Sequence, residues 1–319
     1  MNIVVLDGYT TNPGDLSWEW LNKLGQAKIY DRTPDELIIP RASNCEIIIT
    51  NKTPLTAETL AQLPKLKYIG LLSTGYNIVD CAEAKKRGIP VSNIPAYSTN
   101  AVAQLVFSMI LTLTNQVSIH SNAVHNGEWS SCSDFCFTKV SLMELNQKKI
   151  GIIGYGSIGQ KVAKIADAFG MNILISTPHP KQLPAPKGTQ WLTTDELLAN
   201  ADIVTLHCPL TPKTQGMVTI DFLKKMKSNA FLINTSRGAV VDEQALAYAL
   251  KQGIIAGAGL DVLNKEPPEK ENPLFGIPNC IITPHIAWAA KETRQRLMNI
   301  AKENLTSFIA GKPIHIVNP

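Results

Sequence analysis

Lys149-Ile150-Gly151-Ile152-Ile153-Gly154-Tyr155-Gly156-Ser157-Ile158-Gly159-Gln160 is the stretch that decides the fold. An apolar run of strand length, Lys149–Ile153, passes straight into Gly-x-Gly-x-x-Gly. From Gln160 to Phe169 a helical pattern follows, with Val162, Ile165 and Ala166 turned inward. Such a motif means little alone, but a strand before it and a helix after it make it the βα turn of a dinucleotide-binding unit. Gly154 permits the tight turn, Gly156 lets backbone approach a pyrophosphate, and Gly159 lets the helix pack close to the strand. The start of the helix adds unpaired N–H groups for phosphate. The competing reading is a glycine-rich turn that holds no ligand.

Working outward, short apolar runs alternate with helix-length segments, which argues βαβ units and parallel sheets. After the turn, strands are expected at Asn172–Ser176, Asp202–Leu206, Ala230–Asn234, Ala256–Leu260 and Cys280–Thr283. Before it they are expected at Ile3–Asp7, Glu46–Thr50, Tyr68–Leu72 and Pro90–Asn93. Helices there are expected over Asp15–Leu24, Thr56–Leu63 and Ile78–Arg87. One long helix is read from Asn100 to Asn126, with Val102, Leu105, Val106, Met109 and Leu113 on one face. The final helix, Lys291–Ile309, is read as returning to the first domain. The fold class is therefore α/β, with two doubly wound parallel-sheet domains.

A chain of 319 residues suits two domains. Its formal charge of +4 includes no block of like charges, so no nucleic-acid partner is expected. The six cysteines (Cys45, Cys81, Cys132, Cys136, Cys208, Cys280) are scattered. They read as reduced thiols of a cytoplasmic protein. Cys132 and Cys136 lack a second ligand pair, so no metal is expected. Met1–Asp7 reads as a first strand and lacks the flanks of a signal peptide. The apolar stretch near Val102–Leu113 is too short for a membrane span.

The strand after the glycine turn departs from the fingerprint. It should end in an acid that binds the adenosine ribose, but Thr177 stands there, followed by Pro178, His179, Pro180 and Lys181. NAD remains the expected cofactor if Ser176 or Thr177 holds the ribose. NADP is the alternative, with Lys181 or His179 meeting its 2′-phosphate.

Three further strand ends carry groups suited to hydride transfer: Asn234-Thr235-Ser236-Arg237-Gly238, the segment Asp261–Pro268 with Glu266, and Thr283-Pro284-His285-Ile286-Ala287-Trp288. Singly, Arg237 is equally a surface ion-pair residue, Glu266 a loop carboxylate and His285 a structural histidine. Strand ends of a doubly wound sheet converge on one crevice, so the three together argue a reaction centre.

With Gly154–Gly159, His207-Cys208-Pro209-Leu210-Thr211, Asn234–Asp242, Asp261–Pro268 and Pro284–Trp288, the chain resembles the D-isomer-specific 2-hydroxyacid dehydrogenase family over essentially its whole length. Leu6-Asp7-Gly8-Tyr9, Asn51-Lys52-Thr53-Pro54, Thr74-Gly75-Tyr76-Asn77 and Gly127–Phe137 are most similar to its glycerate dehydrogenase (hydroxypyruvate reductase) branch. The resemblance implies a Rossmann-type nucleotide domain over 100–286. It implies a flavodoxin-like substrate domain built from 1–99 and 287–319, with hinges near Ala96–Asn100 and His285–Glu292.

By resemblance, His285 is the acid/base, Glu266 orients it, and Arg237 holds the substrate carboxylate. Asn51, Ser73, Thr74 and Gly75 would also bind the substrate. Thr74, Ser157, Ile158, Thr177, Cys208, Thr235, Asp261 and His285 would line the cofactor beside the three motif glycines. His207 is read as positioning a loop near the adenosine, and His120 and His125 as structural or interface residues. Trp129 and Trp288 are candidates for shaping the substrate pocket. The implied partners are a small 2-keto or 2-hydroxy acid, hydroxypyruvate or glyoxylate first, and a second copy in a homodimer through the long helix. A dinucleotide-sensing co-repressor on the same scaffold is the alternative function.

Overall fold

A computed structural model describes residues 1–178 and 183–319. The chain forms two compact units. One comprises Met1–Ser98 and Trp288–Pro319, the other Thr99–Ala287.

The first unit holds strands β1 (Asn2–Val5), β2 (Gln26–Ile29), β3 (Ile47–Thr50), β4 (Tyr68–Leu71) and β5 (Val91–Ser92). Its helices are α1 (Glu19–Asn22), α2 (Ile38–Ala42), α3 (Ala57–Ala61) and α4 (Cys81–Lys86). Every pairing is parallel and the order is β2-β1-β3-β4-β5. That 2-1-3-4-5 order is the flavodoxin-like one. Side chains alternate between its faces, as a pleated strand requires. Val4, Leu6 and Ile48 join one core layer, and Ile3, Val5, Ile47 and Ile49 the other.

The second unit holds helices α5 (Thr99–Asn115), α6 (Val117–His125), α7 (Ser157–Ala168), α8 (Thr194–Asn200), α9 (Ile220–Lys224) and α10 (Glu243–Lys251). Its strands are β6 (Lys149–Ile153), β7 (Asn172–Ser176), β8 (Gln190–Trp191), β9 (Ile203–Leu206), β10 (Phe231–Asn234), β11 (Gly257–Leu260) and β12 (Cys280–Ile282). The order β12-β11-β10-β9-β6-β7-β8 is the Rossmann arrangement with a seventh strand added. Ile150, Ile152 and Ile233 serve one core layer, Ile153, Val204 and Leu232 the other. Each such side chain contributes about 1.5–3 kcal/mol when fully buried.

Helix α11 (Lys291–Ile309) belongs to the first unit. Leu297, Met298, Ala301 and Leu305 lie on the Ile3–Val5 face, and Phe308 stacks on Tyr68 at 4.5 Å. Its start is tied down by Arg294, which is 9% exposed and bonds both carboxylate oxygens of Asp15 at 2.7 Å.

Three sequence expectations are corrected. The long helix is two: α5 stops at Asn115, Gln116 takes a left-handed conformation (φ 49°), and the axis turns by 54° into α6. The hydroxyls of Ser108, Thr112 and Thr114 bond back to carbonyls four residues earlier, and the Gln116 amide reaches the Leu113 carbonyl. Polar side chains thus compete for the helix end, a cap usually left to glycine. The first helix shrinks from Asp15–Leu24 to Glu19–Asn22. Strands β2 and β8 went unseen, because Gln-Ala-Lys-Ile and Gln-Trp carry no apolar run. Among the described residues no single helix is long and apolar enough to cross a membrane. The bent pair α5–α6 passes by length and composition only, and α5 buries Val106, Met109 and Ile110 in the second unit's core.

Candidate active site

In the second unit, neighbouring strand ends carry the candidates in sequence across the sheet. The glycine turn follows β6, His207-Cys208 follows β9, Thr235-Ser236-Arg237 follows β10, Asp261 and Glu266 follow β11, and His285 follows β12. Parallel pairing points all five ends the same way. The switch in strand order falls between β6 and β9, where such sheets open a crevice.

The glycine turn is locked against the next strand end. Gly154 has φ 92°, and a Cβ there would lie 2.7 Å from the Cys208 nitrogen and the His207 carbonyl carbon. A Cβ on Gly159 would lie 2.4 Å from the Gly154 oxygen, so α7 starts in backbone contact with the turn. Gly156 differs: a Cβ would meet nothing within 4 Å. The first intrahelical bond runs from Gln160 N–H to the Gly156 carbonyl, so the N–H groups of Ser157, Ile158 and Gly159 precede the ladder. An open backbone face at a helix start fits a pyrophosphate. At the end of β10, Thr235 Oγ1 is buried and has no hydrogen-bond partner, a polar atom still open to a dinucleotide bound along the strand ends.

At the end of β7, Ser176 Oγ lies 3.0 Å from Thr194 Oγ1, and Thr177 is half-buried. Ser176 therefore has a protein partner of its own. His179 and Lys181 lie outside the described residues. His207 contacts Thr205 Oγ1 through Nε2 at 2.9 Å, and loss of hydration pushes its pKa down to about 3, which keeps it neutral. Burial likewise pushes the Cys208 thiol up, so it stays protonated.

Asn234, fully buried, builds the Arg237 turn. Its Oδ1 accepts the N–H and hydroxyl of Ser236, and its Nδ2 donates to the Arg237 carbonyl. The Arg237 guanidinium is exposed, with one nitrogen on the Ser236 carbonyl at 2.8 Å. His285 Nδ1 lies 2.6 Å from Glu266 Oε2, and the two side chains are 32% and 35% exposed. Glu266 Oε1 accepts the Leu263 N–H at 3.0 Å, which fixes the carboxylate plane. With Nδ1 engaged, Nε2 is the nitrogen left for a substrate.

Asp261, 1% exposed, holds the His285 turn. Its carboxylate accepts Thr283 Oγ1 at 2.6 Å and the N–H groups of Ile286 and Ala287 at 2.8 and 2.9 Å, and its carbonyl accepts the His285 N–H. Desolvation raises the pKa of this carboxyl group, and the three hydrogen bonds it accepts act in the opposite direction. His285 itself has φ 54°, a conformation this network stabilises. Asn234 and the anchoring side of Asp261 are features that sequence reasoning missed. Their only signal was position at a strand end.

In the first unit, Ser73 Oγ donates to the Gly75 carbonyl and Thr74 Oγ1 to the Ile94 carbonyl, so both hydroxyls serve the loop. Asn51 is buried and donates from Nδ2 to Thr10 Oγ1. Its N–H and those of Lys52 and Thr53 converge on the Asp7 carboxylate. No group of three or more His, Cys, Asp or Glu side chains poised for a metal occurs among the described residues.

Comparison with known proteins identifies the family. The chain is 46% identical over its full length, and that of the relative, to a protein named hydroxypyruvate reductase from Blautia hydrogenotrophica. It is 43% identical to a glycerate dehydrogenase from Methylorubrum extorquens, covering 89% of each chain. Among solved structures, an acyclic imino acid reductase in complex with NADPH and D-Arg matches with a TM-score of 0.86 at 35% identity, over 99% of this chain and 100% of that one. Residues 107–287, which carry the glycine turn, Arg237, Glu266 and His285, match the model for the NAD-binding domain of the D-isomer specific 2-hydroxyacid dehydrogenases. The chain belongs to the D-isomer specific 2-hydroxyacid dehydrogenase family.

Proposed function

We propose that this chain reduces hydroxypyruvate to D-glycerate, the glycerate dehydrogenase reaction, or glyoxylate to glycolate, with NADH or NADPH. The observation that carries the reading is the 2.6 Å bond between His285 Nδ1 and Glu266 Oε2 at the strand end beside that of Arg237. Bound dihydronicotinamide supplies the hydride for the carbonyl carbon. His285 delivers from Nε2 the proton that the carbonyl oxygen gains, and Glu266 stabilises the charged ring before transfer. The planar fork of Arg237 grips the substrate carboxylate and polarises the neighbouring carbonyl. Substrate-binding roles for Asn51 and for Ser73, Thr74 and Gly75 belong to the same proposal. In that loop the hydroxyls are engaged internally, so backbone N–H groups are its donors.

Cofactor binding is assigned to Gly154, Gly156, Ser157, Ile158, Gly159, Thr177, Cys208, Thr235 and Asp261, with Thr74 from the first unit. Acceptance of both cofactors rests on the absence of a carboxylate at the end of β7, where Ser176 and Thr177 offer no charge to repel a 2′-phosphate. A domain assignment goes with it: residues 100–286 bind the nucleotide, and residues 1–99 and 287–319 serve the substrate. The protein also acts as a homodimer in this proposal. Val117, Ile119, Val124, Trp129, Phe135 and Leu142, on α6 and the segment after it, are all exposed, and these apolar side chains support that reading.

The test is oxidation of NADH and of NADPH with hydroxypyruvate and glyoxylate. Turnover with both cofactors is expected. Arg237→Lys should raise KM and lower kcat together, because an ammonium lacks the bidentate fork. No turnover with any small 2-keto acid would sink the function, and none with NADPH would sink the cofactor reading.

A further inference from the structure

We propose that Glu243 is a positioning residue for the Glu266–His285 pair, an inference that rests on the acid–base reading above. Glu243 opens α10, but the capping there is done by Asp242, whose Oδ1 accepts the N–H groups of Gln244 and Ala245. The Glu243 carboxylate is turned instead to the loop that carries Glu266. Its Oε1 accepts the Asn264 N–H at 2.6 Å, and its Oε2 accepts Asn272 Nδ2 at 2.8 Å. Asn264 Nδ2 adds a bond to the Val241 carbonyl.

The peptide so held is the neighbour of the one that orients Glu266. Leu263 N–H donates to Glu266 Oε1, and the next N–H along, that of Asn264, donates to Glu243. The same peptide also lies against the Arg237 turn. A Cβ on Gly238 would sit 2.0 Å from the Leu263 carbonyl carbon and oxygen, and 2.5 Å from the Asn264 nitrogen. The loop is thus pressed against Gly238 and drawn toward Glu243, which sets Glu266 in register with the strand end of Arg237. Release of the Asn264 bond frees the Leu263–Asn264 backbone, and the 2.6 Å contact to His285 lengthens.

The charged groups set against His285 are Glu266, through its bond, and Asp261, which anchors the turn from β11. Lys265 and Glu269 on the loop are paired with each other at 2.7 Å and are mostly exposed. They do not substitute for Glu243.

The experiment compares the parent with Glu243→Ala, Glu243→Asp, Glu243→Gln and Glu266→Gln. Three readouts are taken: the pH profile of kcat/KM for hydroxypyruvate reduction with NADH, the NADH dissociation constant, and the imidazole titration of His285 by NMR in the cofactor-free protein. The His285 signal is assigned by its loss in His285→Asn. In Glu243→Ala and Glu243→Asp, kcat/KM should fall on the order of 10-fold through kcat. The alkaline limb and the His285 titration should both move to lower pH, in the direction of Glu266→Gln, while NADH affinity holds. Glu243→Gln keeps an oxygen for the Asn264 N–H but sets an amide NH2 against Asn272 Nδ2, so it should recover only part of the loss. If Glu266→Gln moves the limb and neither Glu243→Ala nor Glu243→Asp does, the positioning role is overturned. If Glu266→Gln leaves the limb in place, the acid–base reading falls and takes this proposal with it.

Discussion

Gly156→Ala and Gly159→Ala separate cofactor binding from folding at two positions of one turn. At Gly159 the new Cβ would lie 2.4 Å from the Gly154 oxygen, while ordinary contact begins near 3.4 Å. The helix must therefore retreat from the turn by about 1 Å, an overpacking that costs roughly 1–3 kcal/mol. For a unit of this size that lowers Tm by roughly 3–9 °C. At Gly156 nothing lies within 4 Å, and φ −74°, ψ −164° suits alanine. The entropy gained by removing a glycine and the weaker N-cap nearly cancel, leaving stability within about 0.5 kcal/mol. The methyl instead occupies the open face over which a pyrophosphate must lie. A penalty of about 1–3 kcal/mol there weakens binding by roughly 5- to 140-fold. Scanning fluorimetry reads Tm, and NADH fluorescence titration reads affinity. The reasoning is refuted if Gly156→Ala binds NADH as tightly as the parent, or loses as much Tm as Gly159→Ala.

Two more outcomes are expected. Light scattering on the parent should give twice the 34.8 kDa chain mass, and Ile119→Glu, on the exposed face of α6, should shift it toward the monomer. A monomeric parent at micromolar concentration would remove the dimer. Asp202 loses hydration on burial, but the Lys149 N–H and the Lys227 ammonium outweigh this and hold its pKa below 3.8. Its folded pKa lies below its unfolded value, so its stabilisation is present above pH 3.8 and is lost as pH falls through the folded value. Asp202→Asn should then lower stability at pH 7 by about 1–2 kcal/mol and make less difference below pH 3.8, as denaturant melts at the two pH values would show. An equal loss at both would mean that the bonds do not depend on charge.

The order of elements was legible because apolar runs alternate with helical ones, and a strand buried on both faces must be apolar throughout. Lys149–Ile153, Asn172–Ser176 and Lys291–Ile309 stand where the pattern puts them. Where burial is one-sided or brief the signal fades. At β2, Gln26–Ile29 alternates between exposed and half-buried positions, and β8 is two residues long. The break at Gln116 was invisible for another reason. Left-handed backbone is expected from glycine, and here a glutamine adopts it.

For the candidate site, sequence alone identified which residue types stand at which strand ends: the glycine turn, Arg237, Glu266, His285 and the threonine where an acid is expected. Those identities come from local motifs and the family they resemble, so they needed no coordinates. Only the tertiary structure decided what each side chain touches. It spends the Asp261 carboxylate on the His285 turn, gives Ser176 to Thr194, leaves Thr235 Oγ1 without a partner and turns Glu243 toward the Glu266 loop. The physical reason is range. A motif is read from residues that follow one another, whereas these hydrogen bonds join groups that folding brings to within about 3 Å across 18 to 26 positions of chain.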